Sequence, residues 1–105
     1  MNNNLEADLR KGFLVLAVLS QLEEKDYGYG LAKNLEEKGF PIDTNTLYPL
    51  LRRLEKQNLL ESLWDTEEAS PRKYYRRTVA GNSAYLELKE AWFEIKRRIN
   101  FLLED

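Results

Sequence analysis

Asn45, Tyr48, Arg52 and Lys56 recur at intervals of three and four residues, which brings an amide, a phenol and two cations onto one face of a helix. Leu47, Leu50, Leu51 and Leu54 form the opposite, apolar edge. A surface helix ordinarily carries charges of both signs on its outer face, yet Glu55 is the only acid between Thr44 and Leu60. Donors and cations in that arrangement suit a polyanion. A second cationic stretch, Arg72, Lys73, Arg76 and Arg77, is interleaved with Tyr74 and Tyr75. On a strand of period two, Lys73 and Tyr75 share one face while Tyr74 and Arg76 take the other. Alone, this stretch reads as a solvated edge strand blunted by charge. Beside the cationic helix it reads as a second contact surface.

The chain of 105 residues contains neither cysteine nor histidine. That removes disulfide frames, thiolate metal sites, Cys/His nucleophiles and Ser/His/Asp triads. Gly28-x-Gly30 could open a phosphate-cradling loop, but Lys33 stands where a third glycine is needed and no strand is expected before it. No catalytic residue, metal ligand or cofactor is expected, and the chain does not read as an enzyme. No run of about 18 apolar residues is present to span a bilayer. The Asn-rich start followed by Glu6 and Asp8 lacks the basic region of a secretory signal, so the cytoplasm is the expected compartment. The formal charge of −2 is unevenly spread: residues 44–56 carry a net +2 and residues 72–79 a net +4, against acidic flanks. A partner within a Debye length of about 8 Å responds to those stretches rather than to the total.

Residues 1–4 are polar and expected to fray. From Leu5 to Leu22 apolar residues recur with helical period, Leu9, Phe13 and Leu16 among them, in a stripe too wide for a helix covered on one side only. Residues 23–27 read as a charged connector. Gly28 opens a second helix that Gly39 stops. Pro41 makes residues 40–43 extended, and either Asp43 or Thr44 caps the third helix. That is helix-turn-helix order. Pro49 removes the hydrogen bond to the Asn45 carbonyl, either at little cost in the first turns or as a mark of function. Residues 61–65 and 73–79 are the arms of a hairpin, with 66–72 as its loop.

Thr78 caps one long helix from about Ala80 to Leu103, in which Leu88, Trp92, Ile95, Ile99 and Leu102 are spaced as a heptad seam. A helix of that length extends about 36 Å at roughly 1.5 Å per residue, more than so small a domain covers. Its distal half is expected to pack on a second chain. Trp92 is then either ordinary dimer core or, with Leu88, Ile95, Leu9 and Phe13, the wall of a site for a planar ligand. The expected fold is mainly α with a β-hairpin wing. A winged helix-turn-helix over 1–79 and a dimerisation helix over 80–105 make one compact unit.

The stretches GYGL (28–31), TLYPLLRRLEK (46–56), PRKYYR (71–76) with Thr78, and Ala80-Gly81 resemble, in this order and spacing, the PadR family of bacterial winged helix-turn-helix transcriptional regulators. The similarity covers residues 10–85. The single C-terminal helix resembles the small PadR-like subgroup, and Trp92 is similar to a tryptophan that some multidrug-sensing members place at their dimer interface.

The resemblance implies a homodimer on a roughly palindromic double-stranded DNA operator, with the third helix in the major groove and the wing along the backbone or minor groove. A ligand-responsive repressor is expected, with a planar aromatic or cationic small molecule as its effector. Tyr48 matches a family tyrosine set against a phosphate, and Arg72 and Lys73 match the basic wing; Tyr75 accompanies them. Arg52, Arg53 and Lys56 add phosphate contacts. Thr44 and Asn45 are the candidates for base edges, since an amide pairs with adenine at two points. The wing departs from the family: residues 66–71 contain no glycine, and Glu67 and Glu68 stand beside its tip. Two rivals remain. A winged-helix interaction module without DNA binding fits the acidic total, and a DNA-binding repressor without an effector takes Trp92 as core.

Overall fold

The computed structural model describes residues 3–67 and 69–104, with side chains from residue 5 onward. Glu68 of the wing tip, and Met1 and Asn2 of the start expected to fray, lie outside the described residues. The element order is α1 (Asn3–Lys11), α2 (Leu14–Ser20), β1 (Asp26–Tyr27), α3 (Gly28–Glu37), α4 (Thr44–Lys56), β2 (Leu60–Asp65), β3 (Arg72–Arg77) and α5 (Val79–Leu103). The fold is mainly helical with one small antiparallel sheet, a winged helix-turn-helix carrying a long C-terminal helix. Among the described residues no helix is long and apolar enough to cross a membrane.

The first helix differs from expectation. Instead of one helix from Leu5 to Leu22 there are two, broken at Gly12 and Phe13. Glycine is a poor helix former, and the Phe13 amide bonds back only three residues, to Arg10, at 2.9 Å. The break turns the Phe13 ring onto Trp92 of α5, edge to face at 4.9 Å between centroids. A second difference is β1. The expected connector pairs its last two residues with β3, Asp26 opposite Tyr75 and Tyr27 opposite Tyr74, so the hairpin becomes a sheet of order β1-β3-β2.

Helix α3 ends as its glycine predicts. Gly39 takes a φ of +83°, and the amides of Phe40 and Gly39 reach back to the carbonyls of Leu35 and Glu36 at 2.8 and 3.0 Å. Of the two possible caps for α4, Asp43 is the one used: its carboxylate accepts from the Asn45 amide at 2.8 Å. Leu47, Leu50, Leu51 and Leu54 of α4 are buried with Val18, Leu19 and Leu22 from α2 and its end, Leu31 and Leu35 from α3, and Leu60 and Tyr75 from the sheet. Pro49 sits inside α4 on its exposed side rather than in its first turn, so the Asn45 carbonyl has no amide partner there.

The end of α4 and the start of α5 are built against each other. Asn58 adopts a left-handed φ of 62°, closing α4 with a bond from the Leu59 amide to the Leu54 carbonyl at 2.9 Å. The Leu59 carbonyl then accepts from the Thr78 amide at 3.2 Å, and the Thr78 hydroxyl donates to the Asn58 carbonyl at 2.6 Å. Thr78 also caps α5, accepting from the Gly81 amide at 2.9 Å. A Cβ at Gly81 would overlap the Leu59 carbonyl oxygen and lie 3.0 Å from its carbon. Beyond Glu94 every described residue of α5 is exposed.

Because backbone cannot retreat as a flexible side chain can, Gly81→Ala is expected to destabilise the fold by about 1–3 kcal/mol, seen as a lower urea midpoint. Gly12→Ala is the control, since its Cβ would meet only the Leu9 carbonyl oxygen at 3.6 Å. Equal midpoints for the two variants would mean that the α4–α5 joint is not tight.

Candidate nucleic-acid interface

Helix α4 turns its polar face outward. Thr44, Asn45, Tyr48, Arg52, Arg53 and Lys56 are all exposed, while the leucine edge is buried. Tyr48 is held by a neighbour that sequence reading did not single out for this purpose. Gly28, the buried first residue of α3, lies against the Tyr48 ring, and a Cβ there would stand 2.5 Å from its Cε1. The absence of a side chain at Gly28 therefore sets how closely Tyr48 packs on α3.

The wing is tied to α4 through Glu55. Its carboxylate accepts a hydrogen bond from the Ser62 hydroxyl of β2 and lies 3.4 Å from the Lys73 ammonium of β3. The wing is tied a second time at the loop end of β2, where the Tyr27 hydroxyl donates to Asp65 at 2.8 Å. That bond, then the Glu67 amide, then the charges of Lys25 and Arg72, hold the Asp65 carboxyl below its ordinary range, so it is ionised at neutral pH.

The wing is less cationic outward than the sequence suggests. Lys73 shares its charge with Glu55, and Arg76 is paired with Glu61 across the hairpin. Arg77 turns inward: its Nη1 donates to the Leu19 carbonyl at 3.0 Å and its guanidinium lies 4.4 Å from the Tyr85 ring centroid. A cation at that end of α2 is favoured by the helix dipole, and the Leu19 carbonyl it meets also accepts from the Leu22 amide at 3.2 Å. Arg72 remains exposed at the start of β3, its guanidinium 5.5 Å from the Tyr27 ring. Tyr75, grouped with the contact residues, is only 5% exposed and belongs to the core. Alternation along β3 puts it on the inner face, where it floors the site rather than reaching out of it.

Tyr48, Arg52, Arg72 and Lys73 thus converge on a cavity of about 770 Å³ between α4, the wing and the start of α3, with Trp64 and Tyr29 also on its walls. Among the described residues, no carboxylate lines it. Arg53 and Lys56 border a second hollow, of about 570 Å³, on the other side of Arg52. Thr44 and Asn45 stand apart from both, in the first turn of α4. Trp64 and Glu55 were the missed members. The signal for Trp64 was present, since Leu60, Ser62 and Trp64 alternate onto the strand face that meets α4.

The candidate ligand residues are only partly gathered. Phe13 and Trp92 are in contact, but Leu9 is 65% exposed, and Leu88 and Ile95 are 37% and 46% exposed.

The sequence signature of the PadR-like family of transcriptional regulators matches residues 15–87. A solved PadR family transcriptional regulator from Eggerthella lenta is 48% identical, covers 97% of this chain and 91% of its own, and superposes with a TM-score of 0.91. A PadR-like transcriptional regulator from Bacillus cereus is 32% identical, with 93% of this chain and 98% of that one covered and a TM-score of 0.84. A curated transcriptional regulator of Mycobacterium tuberculosis is 36% identical over 73 residues, 70% of this chain and 68% of that protein. The chain belongs to the PadR-like family, whose members are transcriptional regulators and not enzymes.

Proposed function

We infer that this regulator is a DNA-binding repressor, acting in the cytoplasm as a homodimer on a roughly palindromic operator. The observation that carries the reading is the convergence of Tyr48, Arg52, Arg72 and Lys73 on a concavity that, among the described residues, no carboxylate lines. With α4 in the major groove, Thr44 and Asn45 meet base edges, and Tyr48, Arg52, Arg53, Lys56, Arg72 and Lys73 position the protein on phosphates. The exposed apolar seam of α5 supplies the partner. Two reading heads then face half-sites about 34 Å apart.

A small-molecule effector belongs to the same reading. Leu9, Phe13, Leu88, Trp92 and Ile95 close around a planar aromatic or cationic ligand only in the dimer, and such a ligand acts by preferring one arrangement of the two halves.

Electrophoretic retardation of the promoter duplex of its own operon tests DNA binding, and no shift at low salt would end this reading in favour of a protein-interaction module. In salt titrations, Arg72→Ala with Lys73→Ala is expected to weaken binding and to reduce the log–log slope by up to about 0.9 for each phosphate no longer neutralised. Glu55→Gln is expected to do the opposite. Its amide oxygen still accepts from Ser62 while Lys73 regains its full charge, so affinity rises and the slope steepens; weaker binding would instead make Glu55 chiefly a brace for the wing.

Replacing Ile95 and Ile99 together by Glu is expected to give a monomer in sedimentation and to lower operator affinity at least tenfold, because two half-sites no longer act together. In a Trp64→Phe background, planar cationic dyes quench Trp92 in the dimer and not in this monomer. Equal quenching in both forms would remove the seam as the ligand site.

A further inference from the structure

We propose that Trp64 is a DNA contact of a different kind from the cations around it: its ring covers the apolar face of a deoxyribose in the backbone strand lying between α4 and the wing. This rests on the DNA-binding reading above and names the part of the partner that the cavity receives.

Three residues of β2 share one face. Leu60 is buried in the core, Ser62 bonds Glu55 of α4, and Trp64 comes next, opposite Lys73 in the β2–β3 register. Alternation therefore carries Trp64 past Ser62, the β2 residue bonded to α4, and onto the wall of the larger cavity. Folding does not cover it. Trp64 is 63% exposed, and Tyr29, from the first turn of α3, lines the same cavity at 71% exposure. Two large rings thus stay wet in a concavity that also presents Arg52, Arg72 and Lys73.

The occupant must therefore offer both anionic and apolar surface within one concavity. A sugar-phosphate strand does so, because each phosphate is followed by a deoxyribose whose carbon face carries no charge. No carboxylate is among the described residues of the cavity wall, and the two close behind it are occupied, Glu55 by Ser62 and Lys73 and Asp65 by the Tyr27 hydroxyl. A helix in the major groove with a wing beyond it straddles one backbone strand, and this cavity separates the helix from the wing. The contact does not read sequence. It adds affinity without releasing counterions, which separates it experimentally from every cation nearby.

The test is fluorescence anisotropy with a labelled duplex of random sequence, over a salt series, using the full-length protein and its Trp64→Ala and Trp64→Phe variants. Covering about 50 Å² of ring corresponds to roughly a tenfold change in affinity. Trp64→Ala is expected to weaken binding by that factor with its salt slope unchanged, and Trp64→Phe to recover most of it. Lys73→Ala, by contrast, is expected to flatten the slope. Affinity within twofold of the unsubstituted protein in Trp64→Ala overturns the inference and leaves the cavity to another occupant. A flattened slope in Trp64→Ala, or a Phe variant as weak as the Ala variant, overturns it too, since the ring would then act only by placing Lys73. Absence of duplex binding by the unsubstituted protein fails the DNA reading itself, and this inference with it.

Discussion

The contact between Gly81 and the Leu59 carbonyl governs the architecture. Helix α4 ends shortly before Asn58 turns left-handed, and the Leu59 carbonyl that follows is taken by the Thr78 amide as α5 begins. Thr78 bonds both ways, to the end of one helix and the start of the next. Only a residue without a side chain at Gly81 lets the two backbones approach so closely. Helix α5 therefore does not hang from the wing on a linker. It is joined to α4 by backbone, with little room for one to turn without the other.

The wing is fixed to the same frame by side chains, which explains how an acidic chain keeps a usable cationic face. Glu55 and Asp65 look like liabilities beside nucleic acid. Glu55 instead joins Ser62 and Lys73 to α4, and Asp65 is occupied by the Tyr27 hydroxyl and the Glu67 amide. Neither lines the larger cavity. These two acids set the angle of the wing, and the cations line the hollow between it and the helix. Arg77, which sequence counts with the wing, is a structural cation: it joins β3 to the end of α2 and packs on Tyr85 of α5.

What the sequence made legible follows from the strength of each local signal. The leucine edge of α4, a cap at Asp43 or Thr44, the Thr78 cap, the Gly39 stop and the long α5 all rest on periodicity or capping chemistry that acts within a few residues; which of the first two residues caps α4 is settled by the Asp43–Asn45 bond. The break at Gly12 and Phe13 does not, because the stripe from Leu5 to Leu22 runs through it and only the ring of Trp92, far along the chain, shows why Phe13 turns. Strand β1 is two residues long, too short for any alternation to register. The inward turn of Arg77 and the pairing of Lys73 with Glu55 are tertiary facts between residues separated by 58 and 18 positions. On the contact face, α4 was readable residue by residue because burial and exposure alternate with the helix period. The wing was readable only as to which residues share a face, not as to which charges are already spoken for.

These two levels of fixation limit how a signal could reach the proposed operator. The wing cannot swing freely while Glu55 holds Ser62 and Lys73, and α4 cannot rotate against α5 while Gly81 lies on Leu59. Within one protomer α4, the wing and the start of α5 are thus held as one body. The outer half of α5 makes no comparable commitment, since its described residues beyond Glu94 are exposed. In the proposed dimer that leaves the crossing of two α5 helices as the least constrained coordinate, and a small rotation there is carried by the stiff joint into a displacement of α4. The proposed effector need not touch the proposed DNA contacts at all. It needs only to favour one crossing over another, and the energy available for that is its difference in affinity between the two, not its affinity for either.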